Sequence, residues 1–415
     1  MRKMRALAAI AATSAFAQST VTVYGQADAA YTSVKSGANS LTGLLGAGRG
    51  SNYVGFMGTE DLGCGLKANF KIEAGYNLDN GTGSATNTNN QANGAPVTVA
   101  SPNGGTASAT INSATNSAAT QDRFSMGGGQ GLTFNRWSYA GVSGGFGEVR
   151  VGREYTPTFQ AILSADFLGA NGVQNTLFQT LYLGQANSHA NATNASNAIS
   201  YETPRVSGFN VKAMAFFGEN TSPVAATGTA IMTGKSGDGT SYRIDYTQGP
   251  INAGYAAQTT KGTNVAAGTG IGQIPGKYDQ STMYAKYDAG VAIVAVAQVS
   301  ETMALSTGEN KNVSNVLGLR VPMGATTLNA SYTSSTLKVA GTTATNGGKG
   351  TQLGLQAIHA LSKRTDLYVN YAVTDNSTEG KGTIYGIANG SGRLVTVSAA
   401  GDKSTAYQIG VRHNF

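Results

Sequence analysis

Leu66-Lys67-Ala68-Asn69-Phe70-Lys71-Ile72-Glu73-Ala74 sets Leu, Ala, Phe and Ile on one side of an extended chain and Lys, Asn, Lys and Glu on the other. A period of two is the mark of a strand with one apolar and one polar face. The same alternation runs through Tyr242-Arg243-Ile244-Asp245-Tyr246, Leu353-Gly354-Leu355-Gln356-Ala357, Leu367-Tyr368-Val369-Asn370-Tyr371 and Tyr407-Gln408-Ile409-Gly410-Val411-Arg412. A soluble sandwich alternates in the same way, so the connections between strands decide. Every second connection is very short: Asp61-Leu62-Gly63, Ser143-Gly144-Gly145, Pro204 to Gly208, Gly249-Pro250, Asp288-Ala289-Gly290, Pro322-Met323-Gly324 and Ser362-Lys363. The others are long and rich in Asn, Gly, Ser and Thr, at roughly 33–49, 79–130, 154–196, 219–238, 260–278, 337–349 and 375–402.

Short turns at one end and long loops at the other predict an all-β fold, a transmembrane antiparallel β-barrel. Sixteen strands are expected, near 21–32, 50–60, 64–78, 131–143, 146–154, 197–204, 208–218, 239–248, 250–259, 279–288, 291–301, 312–321, 325–336, 350–361, 364–374 and 403–415. A barrel of that size encloses a water-filled channel. Its apolar phase must face lipid and its polar phase the lumen, with Tyr242, Tyr246, Tyr332, Tyr371 and Tyr407 forming aromatic girdles.

Composition agrees. Only 12% of the 415 residues are charged, while Gly numbers 57 and Tyr 19, a palette of strands, turns and polar loops. Residues 1–17 read as a signal peptide: a basic start with Arg2, Lys3 and Arg5, an apolar run from Ala6 to Ala12, and Ala15-Phe16-Ala17 for cleavage. The mature domain would span 18–415, with 79–130 as a long low-complexity extracellular loop. Of the 28 basic residues 25 remain beyond that segment, against 21 acidic ones. No basic cluster remains among them, so nucleic acid is not an expected partner. One Cys and three His allow neither a disulfide framework nor a zinc pattern, and no cofactor is expected. Cys64 sits where Gly would serve equally, and Trp137, the only Trp, reads as a packing or interface residue.

Alternation places Lys67, Lys71, Arg136, Arg150, Lys212, Arg243, Lys286, Arg320 and Arg412 on the lumen wall, with the acids Glu73, Glu148, Glu202 and Asp245. That excess of basic groups points to mild anion preference, acting through water over about one Debye length, roughly 8 Å at physiological salt. An enzyme is not expected. His189 falls in a polar loop, His359 and His413 lie on the outward phase, and no Gly-x-Ser-x-Gly elbow occurs. A channel dedicated to one solute would show a ladder of lumen aromatics, and alternation places none there. An exported β-rich adhesin would explain the polar loops but not the turn asymmetry.

Several motifs together resemble the Gram-negative general porins of the β-proteobacterial type. Val21-Thr22-Val23-Tyr24-Gly25-Gln26-Ala27-Asp28 resembles the first strand of that family. Gly58-Thr59-Glu60-Asp61-Leu62-Gly63-Cys64-Gly65-Leu66-Lys67-Ala68 resembles its first turn. Gly141 to Gly147 and Val151-Gly152-Arg153 are similar to the strand pair before its third loop, while Ala360 to Thr365 and Gly410-Val411-Arg412-His413-Asn414-Phe415 match its ending. The resemblance implies a homotrimer in the outer membrane, surrounded by lipid and lipopolysaccharide, that passes small hydrophilic solutes and ions by diffusion. It implies that Phe415 is the signal read by the barrel-assembly machinery. It also implies that a third loop, here 154–196, folds into the barrel; Asp166-Phe167-Leu168-Gly169 is similar to that loop's Asp-Pro-Phe-Gly, with Leu taking the place of Pro. The constriction would then comprise Lys71, Glu73, Arg136, Arg150, Arg153 and Asp166. Tyr53, Met57 and Ser200 stand where the family carries arginines, so a less basic eyelet is expected, unless its basic residues come from elsewhere.

Overall fold

A computed structural model describes residues 20–79, 81–83, 132–176, 180–181, 191–218, 230–231, 235, 237–262, 264–265, 276–305, 308–338, 348–376, 388–389, 392–393 and 401–415. The expected signal peptide, most of loop 79–130 and His189 lie outside the described residues.

Seventeen extended segments join in one antiparallel sheet. They are β1 (Thr20–Ser36), β2 (Asn39–Gly46), β3 (Tyr53–Gly63), β4 (Leu66–Gly75), β5 (Trp137–Gly144), β6 (Gly147–Tyr155), β7 (Asn194–Glu202), β8 (Phe209–Phe216), β9 (Gly239–Gln248), β10 (Ile251–Lys261), β11 (Lys277–Asp288), β12 (Ile293–Leu305), β13 (Gly308–Met323), β14 (Thr326–Lys338), β15 (Gly348–Ala360), β16 (Thr365–Asn376) and β17 (Ser404–Asn414). One edge of β1 pairs with β17; the other pairs with β3 through Thr20–Gln26 and with β2 through Ala29–Ser36. β2 and β3 are therefore two halves of one interrupted strand, and the sheet closes as a barrel of sixteen. Closure gives the backbone in lipid its partners and leaves no edge. At the seam the Phe415 N–H donates to the Gly25 carbonyl and the Gly25 N–H to the Phe415 carbonyl, both at 3.1 Å.

The short turns fall where alternation put them, within a residue or two. Cys64, between Gly63 and Gly65, has φ +53°, the left-handed conformation that a turn glycine supplies. The stretch 33–49 corrects the expectation of a long loop. β1 runs on to Ser36, turns at Gly37-Ala38 and returns as β2 in register with Ala29 to Ser36. Its Thr32, Ser36 and Ala30 are lumen-facing strand positions, buried against their neighbours. Small polar residues on an inward face have the composition of a loop, which is why the sequence misled here.

Along β16, Leu367, Val369 and Tyr371 are 45%, 48% and 40% exposed, whereas Tyr368, Asn370 and Ala372 between them are buried. Apolar residues thus form the outer surface, and Tyr242, Tyr332 and Tyr407 lie exposed there as well.

The third loop starts as α1 (Pro157–Ala165). Thr156 caps it, its Oγ1 accepting from the Phe159 N–H at 3.3 Å, and Pro157 occupies the first turn, where a missing N–H costs nothing. The chain then touches wall strands far apart around the barrel. Thr158 Oγ1 donates to Gln258 on β10, Gln352 Nε2 on β15 donates to the Gln174 carbonyl, and the Val173 N–H donates to Gln408 Oε1 on β17, each at 3.0 Å. Only a path through the interior reaches all three. Phe159, Ile162 and Leu181 pack there against Tyr278, Val299, Met303 and Leu337. Each large side chain so buried contributes about 1.5–3 kcal/mol, which offsets the ordering of the loop.

Candidate functional site

Lys71 and Glu73 sit two apart on β4, hence on one face, and Glu73 pairs in register with Trp137 on β5. Glu73 is 2% exposed and serves as a shared acceptor. Arg136 Nε bonds its Oε1, Lys71 Nζ lies 3.4 Å from Oε2, and the Tyr24 hydroxyl donates to Oε2 at 3.0 Å. Arg136 is braced further by Tyr155, whose hydroxyl accepts from Nη2 at 2.8 Å. Two cations on one carboxylate leave a surplus positive charge on this part of the wall.

Arg150 on β6 is differently placed. Its guanidinium pairs with Glu148, and lies 3.4 Å from Glu154 and 3.7 Å from Glu202. Lys212 reaches Glu154 at 2.6 Å and is itself only 1% exposed. Here carboxylates outnumber cations, so the group carries no positive surplus. Arg243 pairs with Asp245. Lys286 shares the inward phase of Tyr284, and Lys67 faces the same side nearer the short turns, opposite Asp61. Arg153 corrects its expected place among the eyelet residues. Its register partner is Ser138, on the outward phase, and its guanidinium donates to the Asn135 carbonyl at 2.6 Å and to Ser196 Oγ at 2.7 Å. Those contacts brace the wall where β6 shifts register.

Residues 47–52, which interrupt the second wall strand, bring a cation that alternation did not find. The N–H groups of Gly48, Arg49 and Gly50 converge on the fully buried Asp28 carboxylate at 3.0, 3.0 and 2.8 Å, and the Tyr368 hydroxyl donates to it at 2.5 Å. This turn projects Arg49 inward onto Asp366, which Arg412 also contacts at 2.8 Å. Again two cations share one carboxylate. The third loop rests on the same turn, Ser51 Oγ donating to Asn171 Oδ1 at 3.0 Å.

An amide belt ties these parts together. Gln408 Nε2 donates to Thr32 at 2.8 Å, Asn370 to Gln408 at 3.1 Å, Gln356 to Asn370 at 3.1 Å, and Asn329 to Gln356 at 3.0 Å. Arg320 ends the belt, bonding Asn329 at 2.9 Å and the Phe167 carbonyl of the loop at 3.3 Å. Asp166 faces its own loop: its carboxylate accepts from the Leu168 N–H at 2.7 Å and the Ala170 N–H at 2.6 Å. Burial pushes this carboxyl above the ordinary range, although those N–H groups and Arg320 pull the other way. Among sites that sequence reasoning missed, Asp28, Glu154, Glu301 and Asp366 are buried acids of the inner wall. They reduce the basic excess counted from alternation. Their signal was present, because all four lie in strands: Asp28, Glu301 and Asp366 keep the regular inward phase of β1, β12 and β16, and only Glu154 sits at a register shift, on β6.

The absence of lumen aromatics is also corrected. Tyr24, Tyr53, Trp137, Tyr139 and Tyr155 lie on the face of Lys71 and Glu73, with Trp137 4.8 Å from Tyr155 and 5.9 Å from Tyr139 between ring centroids. Trp137 is therefore a lumen residue.

A closed sixteen-stranded barrel, apolar outside and charged inside, whose lumen is narrowed by an in-folded loop, is an outer-membrane diffusion channel. The model of the Gram-negative porin family matches residues 6–379, and the chain belongs to that family. It is 30% identical to outer membrane porin protein 32 of Delftia acidovorans over 420 residues, covering 100% of this chain and 99% of that one. Its fold superposes on an anion-selective porin from Comamonas acidovorans with a TM-score of 0.71 and 27% identity, over 96% of this chain and 100% of that one. OmpT of Vibrio cholerae shares the fold alone, at a TM-score of 0.58 and 16% identity over 96% and 98% of the two chains. The protein thus resides in the outer membrane of a Gram-negative bacterium and passes solutes and ions through its lumen. Family membership sets the adhesin reading aside.

Proposed function

We propose that this porin is a general diffusion channel with a weak preference for anions, set by Arg49, Arg136, Lys71, Arg320 and Arg412 around the third loop. The observation that carries the reading is the pairing of two cations with one carboxylate, both at Glu73 and at Asp366. Arg150 and Lys212 among their three acids work against it, which keeps the preference small. The relative from Comamonas is described as anion-selective, in agreement with this sign. Solutes cross by diffusion without being transformed. We further propose that residues 1–17 are removed on export, that Phe415 is recognised during barrel assembly, and that the channel works as a homotrimer in lipopolysaccharide-bearing membrane. The test is the single-channel conductance of the refolded protein in a planar bilayer, with the reversal potential in a KCl gradient. Stepwise conductance with chloride modestly favoured over potassium is the expected result. A potassium preference would overturn the assignment of the cations and give control to the acids.

A further inference from the structure

Five aromatic rings line one strip of the lumen wall across neighbouring strands: Tyr24 on β1, Tyr53 on β3, Trp137 and Tyr139 on β5, and Tyr155 at the end of β6. All five are half-buried, and Tyr155 also packs against Phe159 of the third loop, at 5.1 Å between ring centroids. They meet edge-to-face, Tyr24 with Tyr53 at 5.9 Å and Trp137 with Tyr155 at 4.8 Å. Cations bridge the gaps. Lys71 Nζ lies 4.6 Å from the Trp137 centroid and 5.6 Å from that of Tyr24, and the Arg136 guanidinium lies 4.9 Å from that of Tyr53. Beside Tyr139 lie Arg150 and its three carboxylates, but the acid among the other rings, Glu73, is buried beneath both cations and the Tyr24 hydroxyl. It is thus neutralised and hidden, while a unit of positive charge remains at the surface among ring faces.

A solute that suits this surface must be flat, apolar on its faces and negative at one end. A neutral sugar would stack on the rings but leave the surplus charge unanswered. A small aliphatic anion would meet the charge and leave the rings wet. We infer that the strip is a binding site for monocyclic aromatic carboxylates, with the carboxylate at Lys71 and Arg136 and the ring against Tyr24, Tyr53 and Trp137. The inference rests on the anion-passing reading given above and adds a substrate class to it. Such a site raises the residence of the solute in the channel, which speeds its flux at low concentration.

Trp137 is the only tryptophan of the chain, so its fluorescence reports this strip alone. The folded, heat-modifiable full-length protein would be titrated with benzoate, cyclohexanecarboxylate and benzyl alcohol, and the same compounds added to the KCl conductance measurement. Benzoate is expected to shift the Trp137 emission saturably and to lower the conductance, with an apparent Kd about 3- to 10-fold below that of cyclohexanecarboxylate and further below that of benzyl alcohol. Lys71→Gln is expected to weaken benzoate roughly 10-fold. Where that variant does not fold, Tyr53→Leu serves, since it should weaken benzoate and leave cyclohexanecarboxylate little changed. Equal affinities for benzoate and cyclohexanecarboxylate would reduce the strip to a bare positive charge, and equal affinities for benzoate and benzyl alcohol to a bare apolar surface. Either result overturns the inference while an anion-leaning conductance stands. A potassium-leaning or absent conductance would instead overturn the reading beneath it.

Discussion

Asp28 shows how one buried carboxylate can shape a channel. Its two oxygens accept from three consecutive N–H groups and from the Tyr368 hydroxyl, so the turn at 47–52 is held from below and Arg49 is aimed inward. Each donor left buried without an acceptor costs about 1–3 kcal/mol. Asp28→Ala should therefore destabilise the barrel by at least about 3 kcal/mol, read as a lower temperature at which the unboiled band converts to the unfolded one on a gel. Asp28→Asn, which keeps one acceptor oxygen, should fall between the two. Asp166 makes a prediction of the opposite kind, about charge instead of strength. Burial raises its pKa, so its negative charge is lost, as pH falls, at a value above the ordinary carboxylate one. Losing a negative charge beside Arg320 favours anions. The chloride-to-potassium permeability ratio should therefore rise as pH is lowered toward the ordinary carboxylate range. Asp166→Asn should start at the higher ratio and lack the upper part of that rise. A wild-type and variant profile of the same shape would show that other acids govern the eyelet.

At the scale of elements, the third loop is held by an intimate fit at the wall. A Cβ at Gly354 on β15 would meet the Gln174 carbonyl oxygen at 2.5 Å and Leu168 Cδ1 at 2.7 Å. The loop backbone approaches there because the wall residue has no side chain. Gly354→Val, whose added groups point at backbone, should lift this part of the loop from the wall and leave the strand pairing on either side intact. The expected result is a folded, heat-modifiable barrel whose single-channel current flickers among sublevels. A quiet channel of unchanged conductance would mean that the loop is held elsewhere, by α1 and the Gln258 contact. This fit also marks a limit of sequence reading. The strands were legible because lipid on one side and water on the other impose a strict period of two. The loop's inward path was legible only through family resemblance. Its wall contacts follow from no local pattern, since Gly354, Gln352 and Gln408 acquire their meaning from residues more than a hundred and seventy positions away.

For the molecule as a whole, the lumen charges were half legible. Alternation placed Lys71, Glu73, Arg136 and Arg150 on the wall, and the same period runs through Asp28 on β1 and Asp366 on β16, but Arg49 depends on the interrupted strand, which no periodic pattern announces. The balance that results is a set of partly compensated pairs, with surplus positive charge at two points and not a continuous basic lining. Such a lumen acts on ions at a distance, through water, and is open to screening. The Debye length shrinks from about 10 Å at 0.1 M salt to about 3 Å at 1 M, so a permeating ion near the middle of the channel senses the wall at the lower concentration and is largely shielded at the higher. The chloride preference should accordingly be greatest in dilute KCl and decline toward the ratio of the free ionic mobilities as the salt approaches about 1 M. Reversal potentials recorded at a constant concentration ratio but rising absolute concentration measure this directly. A preference that survived undiminished in concentrated salt would mean that ions shed water and touch Arg49, Arg136 or Lys71 as they pass, and the channel would then select by contact and not by field.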